Sequence, residues 1–206
     1  MKVLLINGSP HEKGCTYTAL SLIAGELNAS GIETEILNVG TKPVGGCIGC
    51  GGCRSGNGCV FGGVVNEAIE KAKTADAFVF GTPVHYASAS GNMTSFMDRL
   101  AYAGGKYLAY KPAAICASAR RAGTTTTLDQ LVKYPEFFHM PLVSGSYWPM
   151  VHGSKPEQVL EDEEGCAVMR ELGRNMAWLL KCIEVGKQSG VEQPVKLEKP
   201  NTNFIR

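Results

Sequence analysis

The sequence predicts a doubly wound α/β domain, in which helices cover both faces of a parallel sheet. Three observations carry this prediction. Short apolar runs such as Val3-Leu4-Leu5-Ile6 and Ala77-Phe78-Val79-Phe80 have the unbroken hydrophobicity of strands buried on both faces. Segments with apolar residues at helical spacing separate these runs, and strands that alternate with helices form a covered parallel sheet. At 206 residues, 44% hydrophobic and 19% charged, the chain has the length of one domain and ample material for its core.

Val3–Ile6 is the first strand. Residues 14–30 form a helix with Leu20, Ile23, Ala24 and Leu27 on one side, and Gly31 stops it. Thr34–Val39 is the second strand. Val64–Lys73 follows as a helix with an apolar stripe, then the strand Ala77–Phe80, ended by Gly81-Thr82-Pro83. Ser90–Tyr102 is a helix, Ala113–Ala117 the fourth strand, Thr124–Lys133 a helix and Met140–Ser144 a short fifth strand. Asp162–Lys187 is a long last helix with acidic residues at its start and lysines near its end, as the helix dipole favours. Residues 1–189 make the domain, and 190–206 form a tail or a subunit-contacting arm.

Composition removes several function classes. Twenty Lys+Arg against 19 Asp+Glu leave a net charge of +1, too little basic excess for a nucleic-acid or acidic-membrane partner. No apolar run approaches the ~18 residues of a membrane helix, and the run after Lys2 is too short for a signal peptide. The expected location is cytoplasmic, where the eight cysteines are thiols or metal ligands. Glycine is the anomaly: ten of the 25 lie between Gly40 and Gly63, beside four of the cysteines.

In this architecture ligands sit beyond the carboxyl ends of the strands. The first such loop, Asn7 to Thr16, is neither a Walker A loop nor a dinucleotide fingerprint. It offers the hydroxyls of Ser9 and Thr16, the cations His11 and Lys13, and free N–H groups at a helix start, a set suited to a phosphate monoester. The competing reading is a capping turn with Thr16 as N-cap. The loop Thr82–Met93 presents aromatic and hydroxyl groups to a flat ring, or simply caps the core. Ser118–Thr124 is small, polar and basic, and a solvated loop explains it equally well.

These residues carry a resemblance. Gly8-Ser9-Pro10-x-x-x-Gly14-x-Thr16 resembles the phosphate loop of the flavodoxin-like NAD(P)H-dependent FMN reductases. Thr82-Pro83-Val84-x-x-x-Ser88-x-Ser90-Gly91-x-Met93, closing with Met97-Asp98-Arg99-Leu100, is similar to their flavin-ring loop and its helix. The resemblance implies a flavodoxin-like five-stranded sheet in the order 2-1-3-4-5, an order associated with FMN at the switch point. It places Ser9, His11, Lys13, Gly14, Cys15 and Thr16 around the FMN phosphate. Pro83, Val84, His85 and Tyr86 would line the isoalloxazine, and Ser118, Arg120, Arg121 and Gly123 its pyrimidine side. The chain departs from the family at His11, Cys15 and His85, where Arg, Asn and Tyr are frequent.

Cys47-x2-Cys50-x2-Cys53-x5-Cys59 is the sharpest local pattern. Clustered thiolates repel unless a metal neutralises them, and the interleaved glycines permit the positive φ needed to wrap one. The spacing resembles that of iron–sulfur flavoproteins, which implies a [4Fe–4S] cluster beside FMN. Zinc and unliganded thiols are the alternatives, zinc usually showing two separated Cys-x2-Cys pairs. Cys116, Cys166 and Cys182 are expected in the core, and His139 and His152 as structural or solvent-facing. Tyr147-Trp148-Pro149-Met150 reaches a neighbouring subunit's flavin or fills a hydrophobic corner.

The expected function is an FMN-dependent oxidoreductase that takes hydride from NAD(P)H and passes electrons to a flavin, quinone or other small acceptor in a ping-pong cycle. The alternative is an electron carrier whose Cys47–Cys59 cluster serves a ferredoxin-like redox protein. A thiol-based redox sensor is the third reading. A homodimer or homotetramer is implied by resemblance, and no side chain is assigned as catalytic.

Overall fold

The computed structural model describes residues 1–195 together with 197 and 202. Strand β1 (Lys2–Asn7) lies inside the sheet, parallel to β2 (Glu33–Asn38) on one side and β3 (Ala77–His85) on the other. Beyond β3 come β5 (Ala113–Ala119) and β6 (Met150–His152), also parallel. The short β4 (Ser88–Ala89) folds back on β3 as an antiparallel hairpin. The order is therefore β2-β1-β3-β5-β6, which is the expected 2-1-3-4-5 once the hairpin strand is set aside.

Side chains alternate across the pleat, so each strand feeds two cores. Leu4, Ile6, Phe78, Phe80 and Ile115 pack with residues of α2 (Val64–Thr74), α3 (Gly91–Gly104) and α4 (Thr124–Phe137). Val3, Leu5, Val79, Ala114 and Cys116 pack with α1 (Cys15–Ala29) and α6 (Glu163–Gln188). This double burial is the reason those runs carry no polar alternation. All these helices follow from the apolar spacing, with ends within a few residues of expectation.

Three expectations are corrected. Met140–Ser144 contributes only an isolated bridge, Ala113 to Leu142, and the fifth parallel strand is Met150–His152. The run pairs with β5 only at that strand's first residue, where Ala113 N donates to Pro141 O (2.9 Å) and Val143 N to Ala113 O (2.8 Å). The third strand does not stop at Phe80 but continues through Pro83 to His85, because Phe80 to Pro83 pair with Ile115 to Ser118. The last helix stands as expected in α6, one residue along from Asp162–Lys187, and a short α5 (Pro156–Glu161) precedes it; between them the Asp162 carboxylate accepts from Gly165 N (2.9 Å) as N-cap and from His152 N (2.7 Å). Cys116 and Cys166 are buried, but Cys182 is exposed on the outer face of α6. The described tail residues, 190–195, 197 and 202, carry no helix or strand; the rest of that arm lies outside the described residues.

Candidate functional site

The loop between β1 and α1 is organised by a residue that sequence reasoning passed over. Asn7 is buried, its Oδ1 accepts from Ser9 N (3.1 Å), and its Nδ2 donates to Glu12 O (3.1 Å) and Asn38 Oδ1 (2.8 Å). The Ser9 hydroxyl in turn accepts from His11 N (3.1 Å). Gly40 closes the rear of the loop: a Cβ there would overlap the carbonyl oxygens of Gly8 and Ser9. The signal was a polar residue ending an apolar strand, with a glycine two residues after the next strand.

Helix α1 starts with Gly14 as N-cap and no side chain capping its first turn. Thr16 is therefore not the N-cap; it stands inside the first turn and is only 1% exposed. Its hydroxyl meets that of Ser118 at 2.8 Å. The N–H groups of a first turn have no intrahelical acceptor, and the dipole there favours an anion. His11 and Lys13 are exposed beside it, while Gly14 and Cys15 are half-buried. The Cys15 thiol donates to Gly153 O (3.4 Å), and burial raises its pKa.

Pro83, Val84 and His85 form the end of β3, and Tyr86 and Ala87 make the two-residue turn into β4. Both turn residues have positive φ, +50° and +60°, the type I′ pattern that normally selects Asn-Gly. Tyr86 is fully exposed, so this backbone conformation, costly for non-glycine residues, holds a phenol ring out from the strand end. The hairpin is braced from three sides. Ala89 N donates to Gln130 Oε1 (3.0 Å) on α4, and Ser90 N donates to Thr82 Oγ1 (3.1 Å). Gly123, at φ +95°, leaves room for Ala87, whose Cα would lie 2.6 Å from a Cβ at position 123.

Ser90 joins the two loops. Its hydroxyl donates to Gly8 O (2.9 Å) and accepts from Met93 N (3.3 Å), capping α3. The structure thus brings the predicted Ser9, Thr16, Pro83–Tyr86, Ser118 and Gly123 together at the carboxyl ends of three adjoining strands. Arg120 and Arg121 follow β5 as exposed cations at the same edge.

The cysteine insert hangs from α3 as well. Asn92 donates to Gly40 O (2.9 Å) and Lys42 O (3.1 Å) and accepts from Val44 N (3.1 Å), which ties down the start of the insert. Asn66 pairs with both backbone groups of Cys59 (2.8 and 3.0 Å) at its end. Cys47, Cys50, Cys53 and Cys59 line one cavity of about 280 Å³, with Phe61, Arg99 and Tyr102 on its walls. Gly49, Gly51, Gly56 and Gly58 have positive φ, so the glycines do serve backbone turns around this space. Among the described residues no three His, Cys, Asp or Glu side chains converge on a point that would hold a metal ion.

The two remaining histidines lie elsewhere. His139 stacks on Tyr110 (5.3 Å), and His152 Nδ1 stands 3.5 Å from Asp162 Oδ2. Tyr147 and Trp148 pack edge-to-face (4.7 Å), half-exposed over an apolar groove lined by Ile115, Leu128, Val132 and Leu142.

A parallel sheet in this order, with three loops assembled at adjoining strand ends, defines the flavodoxin-like class of cofactor-binding proteins. The model of the NADPH-dependent FMN reductase family matches residues 1–155, and the chain belongs to that family. It is similar to an iron–sulfur flavoprotein of Methanocaldococcus jannaschii, 30% identical over 193 residues that span 89% of this chain and 100% of the relative. An iron–sulfur flavoprotein of Archaeoglobus fulgidus is 30% identical over 169 residues, 80% of this chain and 83% of that protein. Among solved structures, an NAD(P)H:quinone oxidoreductase from Methanothermobacter marburgensis superposes with TM-score 0.65 at 17% identity, covering 85% of this chain and 96% of that one. An archaeal flavodoxin does so with TM-score 0.61 at 14% identity, covering 88% and 99%. Both structures share the fold. Among the described residues no helix is long and apolar enough to cross a membrane.

Proposed function

We propose that the protein is an FMN-dependent oxidoreductase that takes hydride from NAD(P)H, and that its four-cysteine cavity holds a [4Fe–4S] cluster as a second redox centre. The observation that supports this reading is the double role of α3. Its N-terminal cap, Ser90, fastens the two FMN loops, and its middle, at Arg99, forms a wall of the cysteine cavity about 14 Å further along the axis.

The residues present fit both groups. For FMN, the uncapped start of α1, the hydroxyls of Ser9 and Thr16 and the nearby cations suit a phosphate, and the hairpin supplies a flat apolar and aromatic edge. For the cluster, four thiols line one cavity, and their Cys-x2-Cys-x2-Cys run suits an iron–sulfur group better than zinc, which usually shows two separated Cys-x2-Cys pairs.

FMN, when bound, supplies hydride acceptance and onward electron transfer; the cluster supplies single-electron exchange. The chain does the rest. Ser9, Thr16 and the first-turn N–H groups hold the phosphate, with His11 and Lys13 offsetting its charge. Pro83, Val84 and Tyr86 orient the ring, while Ser118, Arg120, Arg121 and the backbone to Gly123 bind its pyrimidine edge. For an acceptor that takes up a proton with its electrons, such as a quinone, His85 or Tyr86 is the donor. The acceptor is a small molecule or a ferredoxin-like redox protein, the setting is cytoplasmic, and the protein works as a homodimer or homotetramer.

Anaerobic purification with an absorption spectrum, iron and sulfide analysis and an NAD(P)H oxidation assay tests the reading. Expected are flavin bands, about four iron per chain, and oxidation of NADH or NADPH that depends on added quinone or flavin. A colourless protein that cannot be reconstituted with FMN overturns the whole reading; flavin without iron overturns the cluster alone.

A further inference from the structure

Arg99 is buried, 6% exposed, on the inner side of α3. Its guanidinium uses all three nitrogens. Nε donates to Cys59 Sγ (3.2 Å), Nη1 to Gly45 O (3.3 Å) and Nη2 to Gly62 O (3.1 Å), and the plane lies over the Phe61 ring at 5.4 Å. Gly45 precedes the first cysteine and Gly62 follows the last, so one side chain fastens both ends of the insert to the same helix. Among the described residues Arg99 makes no ion pair with a carboxylate. Its neighbour Asp98 is engaged by the Tyr134 hydroxyl at 2.6 Å. A guanidinium out of water without a counter-ion is expensive. Its fork points instead at a thiol of a cavity lined by four of them, where the missing negative charge would be.

We propose that Arg99 is the charge-compensating clasp of the cysteine site: a positioning residue that closes the insert around the cluster and raises the cluster's reduction potential. The proposal rests on the cluster reading above. Reduction adds one electron and no proton, so the group becomes one charge more negative while Arg99 stays cationic. A fixed positive charge hydrogen-bonded to a ligand sulfur therefore favours the reduced form, through the net charge and sulfur hydrogen bonding that set such potentials. Arginine is required rather than lysine, because only its planar fork reaches one sulfur and two separated carbonyls together.

The test is an anaerobic dithionite titration of FMN-loaded wild type, Arg99→Gln and Arg99→Lys, with the cluster followed by electron paramagnetic resonance. A parallel measurement follows iron release to a chelator. In Arg99→Gln the equilibrium constant for cluster reduction should fall about tenfold, a midpoint lower by about 59 mV for one electron. Arg99→Lys keeps the charge, so its midpoint should stay near wild type while iron leaves several-fold faster. Loss of iron in Arg99→Gln with FMN retained also supports the clasp. If that variant does not fold, the lysine variant decides by its iron release. Wild-type midpoint and release rate in variants that retain FMN overturn the proposal. Wild-type protein without iron is a different result and overturns the cluster reading instead.

Discussion

The hydroxyls of Thr16 and Ser118 meet at 2.8 Å, although 102 residues separate them in the chain. Thr16 stands in the first turn of α1 and Ser118 near the end of β5, and both are buried. The bond therefore joins the proposed phosphate end of the site to its pyrimidine side.

Thr16→Val keeps the volume and leaves the Ser118 hydroxyl unpaired. A buried unsatisfied group costs about 1–3 kcal/mol. FMN affinity should weaken by roughly tenfold or more, read from flavin fluorescence on titrating the apoprotein. An unchanged dissociation constant would remove Thr16 from the phosphate site.

Gly123→Ala tests the brace of the hairpin. The new Cβ would stand 2.6 Å from Ala87 Cα, at a φ of +95° that alanine resists. Left-handed strain and overpacking together predict a loss of about 2–4 kcal/mol in urea unfolding. Flavin binding should weaken with it, since the displaced turn carries Tyr86. Full stability in the variant would mean that the turn is free to shift.

Alkylation separates the cysteines by burial. Desolvation pushes the Cys116 thiol up to about 12, and Cys166 is raised for the same reason. In chelator-treated native protein at pH 8, Cys47, Cys50 and Cys182 should react first, Cys116 and Cys166 only on unfolding. Peptide mass spectrometry over an iodoacetamide time course reads the order; early labelling of Cys116 would contradict the buried β5.

Glu35 on β2 hydrogen-bonds first Lys2 (2.8 Å) and then Lys71 (2.6 Å), which hold its carboxyl below the ordinary glutamate value. A depressed carboxylate stabilises the fold above its unfolded pKa, near 4.3, and that stabilisation disappears as pH falls through the lower folded value. The stability difference between wild type and Glu35→Gln should be under about 1 kcal/mol at pH 6, the pair being partly solvated. The difference should shrink as pH falls through the folded value. A gap that grows on acidification would reverse the assignment.

The flavodoxin-like sheet was legible because buried parallel strands cannot carry polar residues, and runs such as Leu4–Ile6 and Phe78–Phe80 announce that burial directly. The edge strand was not. Met150–His152 is three residues long and its neighbour Pro149 reads as a loop, whereas Met140–Ser144 has strand composition but little partner. Asp162 was hidden for a related reason: a capping carboxylate inside an acidic run looks like part of the helix it starts. At the site, glycines, hydroxyls and cysteines advertise themselves by spacing, and the family resemblance extended them to a cofactor.

The sequence by itself determined the fold class, the loops at the strand ends and the four-cysteine insert, since each depends on local periodicity or spacing. Only the tertiary structure decided which side chains hold those pieces in one place. Asn7, Ser90 and Arg99 are ordinary polar residues in the chain. Each becomes specific once folding removes it from water and leaves it a single set of partners. The bonds from Ser90 to Gly8 and from Arg99 to Cys59 cross 82 and 40 residues, separations over which local pattern carries no information.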